Sequence, residues 1–409
     1  HQLLVRTISA TNHNTPLPFN TSLWNGKFPI PPAAVFIQSE GLQMMDIPSS
    51  IIYCTPGMFT KNAAEIRTAL AMIPDASGIN SLLLKGGHST IGGRLAGAFR
   101  NIGRERIADD IKKTMQAAGY DIRETDPFDT TIPLALFSSE KSPYANRIKL
   151  LWYEMRVIVI KHFPAAPGLP HDKEAYLKQV EEIYATDAYH SLSIERYQVT
   201  PALIEKVKGG NWNFYTNAED KQQRDAMAAR GYWQATQKVR DGIEKILNGN
   251  NAGEIADAAC SDWYRELFAP SVQAGIINAA DLAGFRNKQV IISGSRHMPL
   301  NNEALRDAMP ALFDLLQQEP EASVRAVLGH FIFVYIHPYI DGNGRMGRFL
   351  MNVMLASGGY PWTVIPVQQR TEYMQALEQA SAERNIEPFT KFIAYLVNES
   401  MKGRPVAVV

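Results

Sequence analysis

The most informative stretch of the 409-residue chain is residues 337–348, which read His-Pro-Tyr-Ile-Asp-Gly-Asn-Gly-Arg-Met-Gly-Arg. His337 belongs to the residue type that titrates near neutral pH, so its imidazole can take a proton from an incoming hydroxyl group. Asp341 supplies a hard carboxylate, the kind of ligand that holds Mg²⁺ between a protein and phosphate groups. The stretch therefore offers a candidate general base beside a candidate metal ligand.

The same stretch carries a candidate phosphate cradle. Gly342 and Gly344 let main-chain N–H groups turn toward one point, and Asn343 adds a side-chain amide donor. Arg345 and Arg348 fall on one face of the first turn of a predicted helix, where the partial positive charge of the helix N-terminus disfavours cations. An anion is needed to offset them, and a polyphosphate fits this set of donors.

Each part of the stretch also has a purely structural explanation. A histidine at a helix end is more often structural than catalytic, a Gly-Asn-Gly turn alone connects helices, and paired arginines usually form surface salt bridges. Because all three fall together directly after an apolar helix, we interpret residues 337–348 as a functional site.

Residues 342–347 also match the glycine spacing of a dinucleotide-binding loop. Three observations count against that fold: the apolar segment before the loop has the length of a helix, Pro338 intervenes, and Val367 stands where an acidic residue would bind the ribose. The regular alternation of strands and helices is also missing. We therefore reject the dinucleotide-binding interpretation.

Two helices must position this loop. Residues 326–336 are apolar nearly all round, which is typical of a helix buried on every side. Pro338 disfavours helical geometry at the residue before it, so the helix is expected to stop at about Ile336 and to present His337 at its end. A second helix is predicted over residues 345–357, where two glycines follow.

The periodicity of residues 136–409 predicts an all-α domain. Only residues 289–293 read as a strand, and the Gly-Ser turn after them suggests a small β-hairpin. The other predicted helices cover residues 147–161, 173–195, 200–207, 220–247, 252–268, 302–318, 321–336, 371–383 and 388–401.

Residues 1–135 are predicted to form a separate, mostly helical domain, joined to the next by a linker at residues 126–143. Its first 58 or so residues indicate irregular or extended structure. Helices are then predicted over residues 63–72, 92–99 and 107–118, followed by a short strand over residues 120–123.

Three short helices and a strand would suit a winged helix-turn-helix, with Ser89 and Thr90 capping a helix that carries Arg94 and Arg100. Neighbouring acidic residues cancel these basic ones, however, so a helical packing domain is the preferred interpretation. Its role is left open.

Composition excludes several classes of protein. With 41 Lys+Arg against 41 Asp+Glu, the chain has no surplus of positive charge for coating nucleic acid. Cys54 and Cys260 form no disulfide or metal-binding spacing, which favours a reduced, cytoplasmic setting. We recognise neither a targeting peptide nor an apolar run of the roughly 20 residues that a bilayer requires, so no membrane partner is predicted.

Residues 337–348 resemble the signature of the Fic family, His-Pro-Phe-x-(Asp/Glu)-Gly-Asn-Gly-Arg-x-x-Arg, and differ at one fixed position, Tyr339. The resemblance implies an all-α Fic fold that transfers AMP from ATP to a hydroxyl group of a target protein. It also implies that His337 is the general base and that Asp341 holds Mg²⁺. The implied nucleotide-binding residues are Gly342, Asn343, Gly344, Arg345 and Arg348.

A second segment, Ser-Leu-Ser-Ile-Glu-Arg at residues 191–196, resembles the inhibitory motif of the same family, (Ser/Thr)-x-x-x-Glu-(Gly/Asn). It falls on a helix predicted near residues 186–197, with Ser191 and Glu195 as the inhibitory residues. In the self-inhibited class the glutamate pairs with the second arginine of the signature and displaces the ATP γ-phosphate. Arg196 stands where the family has glycine or asparagine, which leaves the geometry of this helix end open.

The resemblance extends over about residues 185–400. Residues 289–297 look like the family's flap, whose exposed edge is thought to align a target segment by strand addition. Residues 373–389 are similar to the family's closing helices.

We therefore predict a self-inhibited protein adenylyltransferase, a nucleotidyltransferase that uses ATP and Mg²⁺. Its partner would be a target protein with a Ser, Thr or Tyr hydroxyl, while self-modification and a homodimer stay open. Two alternatives remain. One is the reverse removal of AMP, with Glu195 positioning water. The other is a nucleotide-sensing regulator whose N-terminal domain binds DNA or a protein.

Overall fold

A computed structural model describes residues 2–9, 13–18, 21–28, 30–31, 36–39, 41–86, 88–128, 142–209, 220–277 and 284–409. The chain divides into two compact units, His1–Tyr153 and Glu154–Val409. The boundary predicted from sequence, at residues 135 and 136, lies outside the described residues and stays a prediction, as does most of the predicted linker.

The first unit begins with two small sheets. Strand β3 (Thr21–Lys27) is central in the first sheet, paired in parallel with β1 (Gln2–Thr7) and antiparallel with β2 (His13–Leu17). Strands β4 (Phe36–Ser39) and β5 (Leu42–Met45) form a separate antiparallel pair. The sequence predicted irregular or extended backbone here but not the pairing, because long-range strand partners leave no local pattern.

Helices complete the first unit, and they confirm the three that were predicted. Their bounds are α1 Ile47–Ile52, α2 Pro56–Lys61, α3 Ala63–Ala71, α4 Ser77–Gly86, α5 Ser89–Asn101 and α6 Glu105–Ala117. Ser89 is the first residue of α5 rather than its cap, and His88 takes the capping position without a side-chain hydrogen bond.

The strand predicted at residues 120–123 is wrong, because this segment packs against a helix instead of a sheet. Gly93 and Gly97 leave a trench along α5, and the backbone after Tyr120 lies in it. The main-chain N–H of Thr125 donates to the Gly93 carbonyl oxygen at 3.1 Å. Residues 120–123 therefore do not supply the strand that the winged helix-turn-helix interpretation required.

The helices of the second unit follow the predicted pattern closely. Their bounds, with α7 containing the division between the units, are α7 Pro143–His162, α8 Lys173–Glu182, α9 Tyr184–Ile194, α10 Pro201–Lys208, α11 Asp220–Leu247, α12 Ala252–Gln273, α13 Leu305–Gln318, α14 Ala322–Ile336, α15 Asn343–Ala356, α16 Arg370–Glu383 and α17 Glu387–Met401. None of the helices in the described ranges is long and apolar enough to span a bilayer.

Helix α14 is the centre of this unit. It packs against α13, α15, α16 and α17, and its side chains are buried almost all round, as predicted. It ends at Ile336, and His337 takes the left-handed conformation (φ 55°) that turns the chain before Pro338. The predicted end of this helix is therefore confirmed.

Two details of the second unit differ from the sequence interpretation. The predicted helix over residues 173–195 is two helices, α8 and α9, which meet at Ile183. The strand predicted over residues 289–293 is wrong in the described structure, because this segment pairs with no other strand. Its three consecutive β-branched residues, at positions 290–292, favour a strand in the sequence, but Ile291 is exposed.

The trench on α5 gives a prediction about stability. In Gly97→Ala the added methyl group would overlap the carbonyl oxygen of Thr125, which is main chain and cannot move alone. We expect the free energy of unfolding, measured with urea, to fall by about 1–3 kcal/mol. Gly57→Ala is the matched control, since a methyl group on this exposed helical glycine meets nothing within 4 Å. Equal effects of the two substitutions would contradict the packing.

Candidate active site

His337 lies at the mouth of a cavity of about 390 Å³, which Gly344 and Arg348 also line. Its Nδ1 atom is 3.3 Å from the carbonyl oxygen of Val334. Because a carbonyl only accepts, we assign the ring proton to Nδ1, which leaves the lone pair on Nε2. Burial lowers the pKa of His337 to about 4, with a smaller contribution from the charge of Arg286, so the ring is neutral at neutral pH.

Asn343 braces the loop rather than offering its amide to a ligand. Its Oδ1 accepts from the main-chain N–H of Tyr339 at 3.0 Å, and its Nδ2 donates to the carbonyl oxygen of the same residue at 2.8 Å. The side chain is buried and both of its polar atoms are bonded to Tyr339, so a side-chain contact to phosphate, which stays a prediction, would require these bonds to exchange. What Asn343 can offer is its main-chain N–H, one of the donors that the first turn of a helix leaves without an intrahelical partner.

Gly342 is required at the start of α15 for two reasons. Its φ of 83° lies in the left-handed region, which suits glycine. A side chain there would also approach the Phe268 ring to 2.6 Å. Tyr339, the departure from the family signature, is buried and stacks on Tyr264 with ring centroids 3.8 Å apart, and its hydroxyl lies 3.9 Å from the Cys260 sulfur.

Arg345 is almost fully buried and held between two aromatic rings. Its guanidinium lies 5.1 Å from the ring centre of Tyr197 and 4.8 Å from that of Phe268. One nitrogen, Nη2, donates to Asp341 at 3.3 Å, while Nε has no hydrogen-bond partner among the described residues. A buried donor without a partner is costly, so an anion at this point would offset the cost.

Arg348 is bound by the C-terminal half of α9, as the resemblance implied. Its Nε donates to the Ser191 hydroxyl at 2.8 Å, and its Nη2 donates to the Ser191 carbonyl oxygen at 3.0 Å and to Glu195 Oε1 at 2.8 Å. Arg348 is 3% exposed, whereas the Glu195 side chain is 32% exposed. The ion pair therefore joins a buried cation to a carboxylate at the edge of the cavity.

The Glu195 carboxylate also fills the glycine cradle. A side chain on Gly344 would overlap Glu195 Oε1, so the carboxylate rests directly against this glycine. Burial acts to raise the pKa of Glu195, but the charges of Arg348 and Arg345 outweigh it and hold the pKa below its usual value. An internal anion thus occupies the place that the sequence assigned to a phosphate.

A further carboxylate, which is buried and which the sequence interpretation missed, lies one helical turn before Ser191. Asp187 accepts from the Tyr232 hydroxyl at 2.6 Å and is 3% exposed. Burial raises its pKa to about 6, although Tyr232 and the charge of Arg348 act in the opposite direction. The spacing of Asp187, Ser191 and Glu195, four residues apart, puts three acceptors on one face of α9 and was the signal available in the sequence.

The end of α9 is fixed from two sides. Arg370 Nε donates to the Ile194 carbonyl oxygen at 2.7 Å. Arg196 adopts the left-handed conformation (φ 68°) directly after Glu195, and the main-chain N–H of Tyr197 returns to the Leu192 carbonyl oxygen at 3.1 Å. This is the position where the family motif has glycine or asparagine, the residue types that accept such a conformation with least strain.

Asp341 lies at the rim of the cradle with its side chain 62% exposed. One oxygen accepts from the main-chain N–H of Gly342 at 2.6 Å, and the other faces Arg345. Within the described ranges, no group of three or more His, Cys, Asp or Glu residues is placed to hold a metal ion. A divalent cation here would therefore rest on Asp341 together with ligand oxygens, which is the usual arrangement of Mg²⁺ bound to a nucleotide.

The all-α unit, with this loop between two buried helices, agrees with the Fic resemblance of its sequence, and a family model matches the same region. The family model described as "Fic/DOC family" matches residues 258–355. The match covers about a quarter of the 409-residue chain and includes the whole loop of residues 337–348.

Two curated relatives carry the name Protein adenylyltransferase Fic. The Drosophila willistoni protein is 40% identical over 250 residues, which are 59% of this chain and 46% of that protein. The Drosophila grimshawi protein is 40% identical over 276 residues, 64% of this chain and 52% of that protein. The chain thus spans about half the length of the curated relatives it matches.

Solved structures give a weaker likeness. Fic-1 from C. elegans has a TM-score of 0.47 at 16% identity, covering 84% of this chain and 96% of that one. A Fic domain containing signaling protein from Bacteroides thetaiotaomicron has a TM-score of 0.43 at 16% identity, covering 65% of this chain and 99% of that one.

The left-handed residue at the end of α9 predicts a stabilising substitution. The strain of an L-residue in this conformation is about 1–2 kcal/mol, and the extra entropy that glycine loses on folding is roughly 0.5–1 kcal/mol. The Arg196 side chain is exposed, so its removal leaves no cavity. We expect Arg196→Gly to raise the free energy of unfolding in urea by on the order of 0.5–1 kcal/mol. A decrease would show that the arginine side chain contributes more than its backbone costs.

The buried histidine of α14 predicts a pH dependence. His330 is fully buried and bonded to the Tyr373 hydroxyl at 2.8 Å, and burial, followed by the charge of Arg348, lowers its pKa from 6.5 to about 3. The unfolded chain binds a proton below about pH 6.5 and the folded chain does not. The stabilisation is therefore complete above pH 6.5 and is lost as the pH falls toward 3.

Urea unfolding at pH 7 and pH 5 checks this dependence. We expect the slope of the unfolding free energy against pH to be shallower in His330→Gln, by up to about 1.4 kcal/mol per pH unit. The exposed His171 provides the matched control, since His171→Gln should keep the slope of the parent chain. An unchanged slope in His330→Gln would contradict a neutral buried histidine.

Proposed function

We propose that this chain is a protein adenylyltransferase that moves AMP from ATP to a hydroxyl group of a protein and that Glu195 inhibits the reaction. The observation that carries the proposal is the convergence of three groups on one cavity: the free Nε2 of His337, the glycine at position 344 and the cation of Arg348. The curated relatives named as adenylyltransferases support the choice of AMP as the transferred group.

In the proposed reaction, the target hydroxyl loses its proton to His337 Nε2 while its oxygen attacks the α-phosphorus of ATP. The bond from the α-phosphorus to the bridging oxygen breaks, and pyrophosphate leaves with the electron pair. Burial keeps His337 neutral and therefore able to accept the proton. The bond from Nδ1 to Val334 holds the ring in the tautomer this step needs.

The departing phosphates carry the developing negative charge, and the chain offers fixed positive groups for it. These are the buried guanidinium groups of Arg345 and Arg348, together with the first main-chain N–H groups of α15. Because the aromatic rings and α9 already hold both arginines, little reorganisation is needed when the charge forms. Asp341 would hold Mg²⁺, whose charge, when it is bound, neutralises the phosphate oxygens.

Inhibition follows from competition for the same donors. Glu195 pairs with Arg348 and rests against Gly344, so a terminal phosphate cannot take that place while the carboxylate remains. The exposure of the Glu195 side chain at the cavity edge leaves it room to withdraw. Arg348 would keep its two bonds to Ser191 after such a movement.

The test is AMP transfer by Glu195→Gly in the full chain. The variant is incubated with Mg²⁺ and ATP labelled at the α-phosphate, and label is followed on the chain itself and on proteins of a cell extract. We expect strong labelling in the variant and weak labelling in the parent chain. Adding His337→Ala should reduce the rate by roughly 10²–10⁴-fold, the contribution of a general base, while ATP binding is kept.

His171→Ala in the same background is the matched control for loss of a histidine, since His171 is exposed. A parallel reaction with ATP labelled at the γ-phosphate separates AMP transfer from phosphate transfer. Absence of α-label from every protein would reject adenylyl transfer. Retained ATP binding together with that absence would favour a nucleotide sensor, and release of AMP from a pre-labelled protein would favour the reverse reaction.

A further inference from the structure

Arg286 is a buried cation whose hydrogen bonds to described residues go to main-chain carbonyl groups of two separate segments. It is 3% exposed. Its Nε donates to the His337 carbonyl oxygen at 2.8 Å, its Nη1 to the Lys288 carbonyl oxygen at 2.9 Å, and its Nη2 to the Leu300 carbonyl oxygen. Its own main-chain N–H donates to the Pro338 carbonyl oxygen at 2.9 Å.

These carbonyl groups belong to two different parts of the site, the flap and the turn that carries His337. Lys288 and Leu300 lie just before and just after a segment that contains the flap, residues 289–297, and the flap lines the cavity with residues 292–295 and 297. The other two carbonyls belong to His337 and Pro338, the turn that presents the proposed base. One guanidinium therefore closes the base of the flap and fastens it to the catalytic turn.

The planar fork of an arginine suits this task. Its nitrogens point in fixed, different directions, so three carbonyl oxygens in three directions can be bound at once. A lysine ammonium is a compact point charge and cannot reproduce that spread. Burial lowers the pKa of Arg286, because removing a guanidinium from water disfavours its charged form.

The flap has a second attachment of a different kind at its tip. The Ser295 hydroxyl donates to Glu378 at 2.5 Å, and Arg296 Nε donates to the same carboxylate at 3.1 Å. The Arg296 side chain is 47% exposed, so this attachment is accessible to solvent and weakened by screening. A buried bond also joins the flap to the end of α14, because His297 Nε2 lies 2.8 Å from the Tyr335 carbonyl oxygen. Arg286 differs from both attachments in that its guanidinium binds the carbonyl of His337 itself.

We infer that Arg286 is a positioning residue that holds the flap and the turn of His337 in one fixed relation. The segment that a target hydroxyl must lie along is thereby set at a constant place relative to the base. The effect on AMP transfer rests on the proposed function, whereas the mechanical coupling of the two segments does not.

The mechanical coupling is tested by hydrogen exchange of the full chain. In Arg286→Met we expect faster exchange both in residues 288–300 and in residues 337–343, with α13 unchanged. Arg306→Met removes an exposed arginine of α13 and is the matched control. Faster exchange in only one of the two segments, or in neither, would overturn the coupling. If the methionine variant does not fold, Arg286→Lys, which keeps the charge, serves for the same comparison.

The kinetic consequence is tested in the Glu195→Gly background. We expect Arg286→Met and Arg286→Lys to bind ATP as the background does but to lose on the order of 10²-fold in kcat, the cost of a small misplacement of reacting groups. Added guanidinium ion should restore part of the kcat of Arg286→Ala, and added ammonium ion should not. Unchanged kcat in a folded variant would overturn the positioning role. A background that never transfers AMP would reject the proposed function, and the exchange experiment would still decide the coupling.

Discussion

The burial of Arg348 is the constraint on which the rest of the site depends. A guanidinium that is 3% exposed needs acceptors, and Ser191 and Glu195, at the end of α9, supply them to Nε and Nη2. Helix α9 therefore has to lie against α15. The Nη1 of Arg348 has no partner among the described residues. Leaving the cation without its carboxylate would be expensive unless another anion arrived, because an uncompensated buried charge costs several kcal/mol. Inhibition and ligand binding therefore meet the same requirement: Arg348 needs a neighbouring anion, which is either the Glu195 carboxylate or a phosphate.

Hydrogen bonds to main-chain atoms fix much of the loop around that cation, beside the ion pair of Arg345 with Asp341. Pro338 ends α14, Asn343 ties the loop to Tyr339, and Arg286 binds the carbonyl of His337. Contacts of this kind depend on backbone shape and hardly at all on salt. The loop can thus hold its form while the charged groups beside it exchange partners, as they must if a polyphosphate replaces Glu195.

Much of this arrangement was predictable, because local patterns carry it. Periodicity located most helices of the second unit, and the end of α14 followed from Pro338. The loop motif identified which residues would meet. Contacts between distant segments were not predictable in the same way: nothing in the sequence near Arg345 indicates that Tyr197 and Phe268 enclose it. The amide of Asn343 was assigned to a ligand because its bonds to Tyr339 depend on the folded path of the loop. The strand pairing of the first unit was not predicted for the same reason, since it also depends on contacts between distant segments.

Because Gly344 contacts Glu195, the residues that can be accepted at position 344 depend on which residue occupies position 195. While the carboxylate rests there, even a methyl group at position 344 is excluded, so the resting state alone is enough to preserve the glycine. In a lineage that lost the acidic side chain at position 195, only ligand binding would still require glycine at position 344. If larger residues occur at position 344 in such a lineage, the ligand does not approach the backbone closely there. If only glycine occurs, the ligand itself must lie against the backbone.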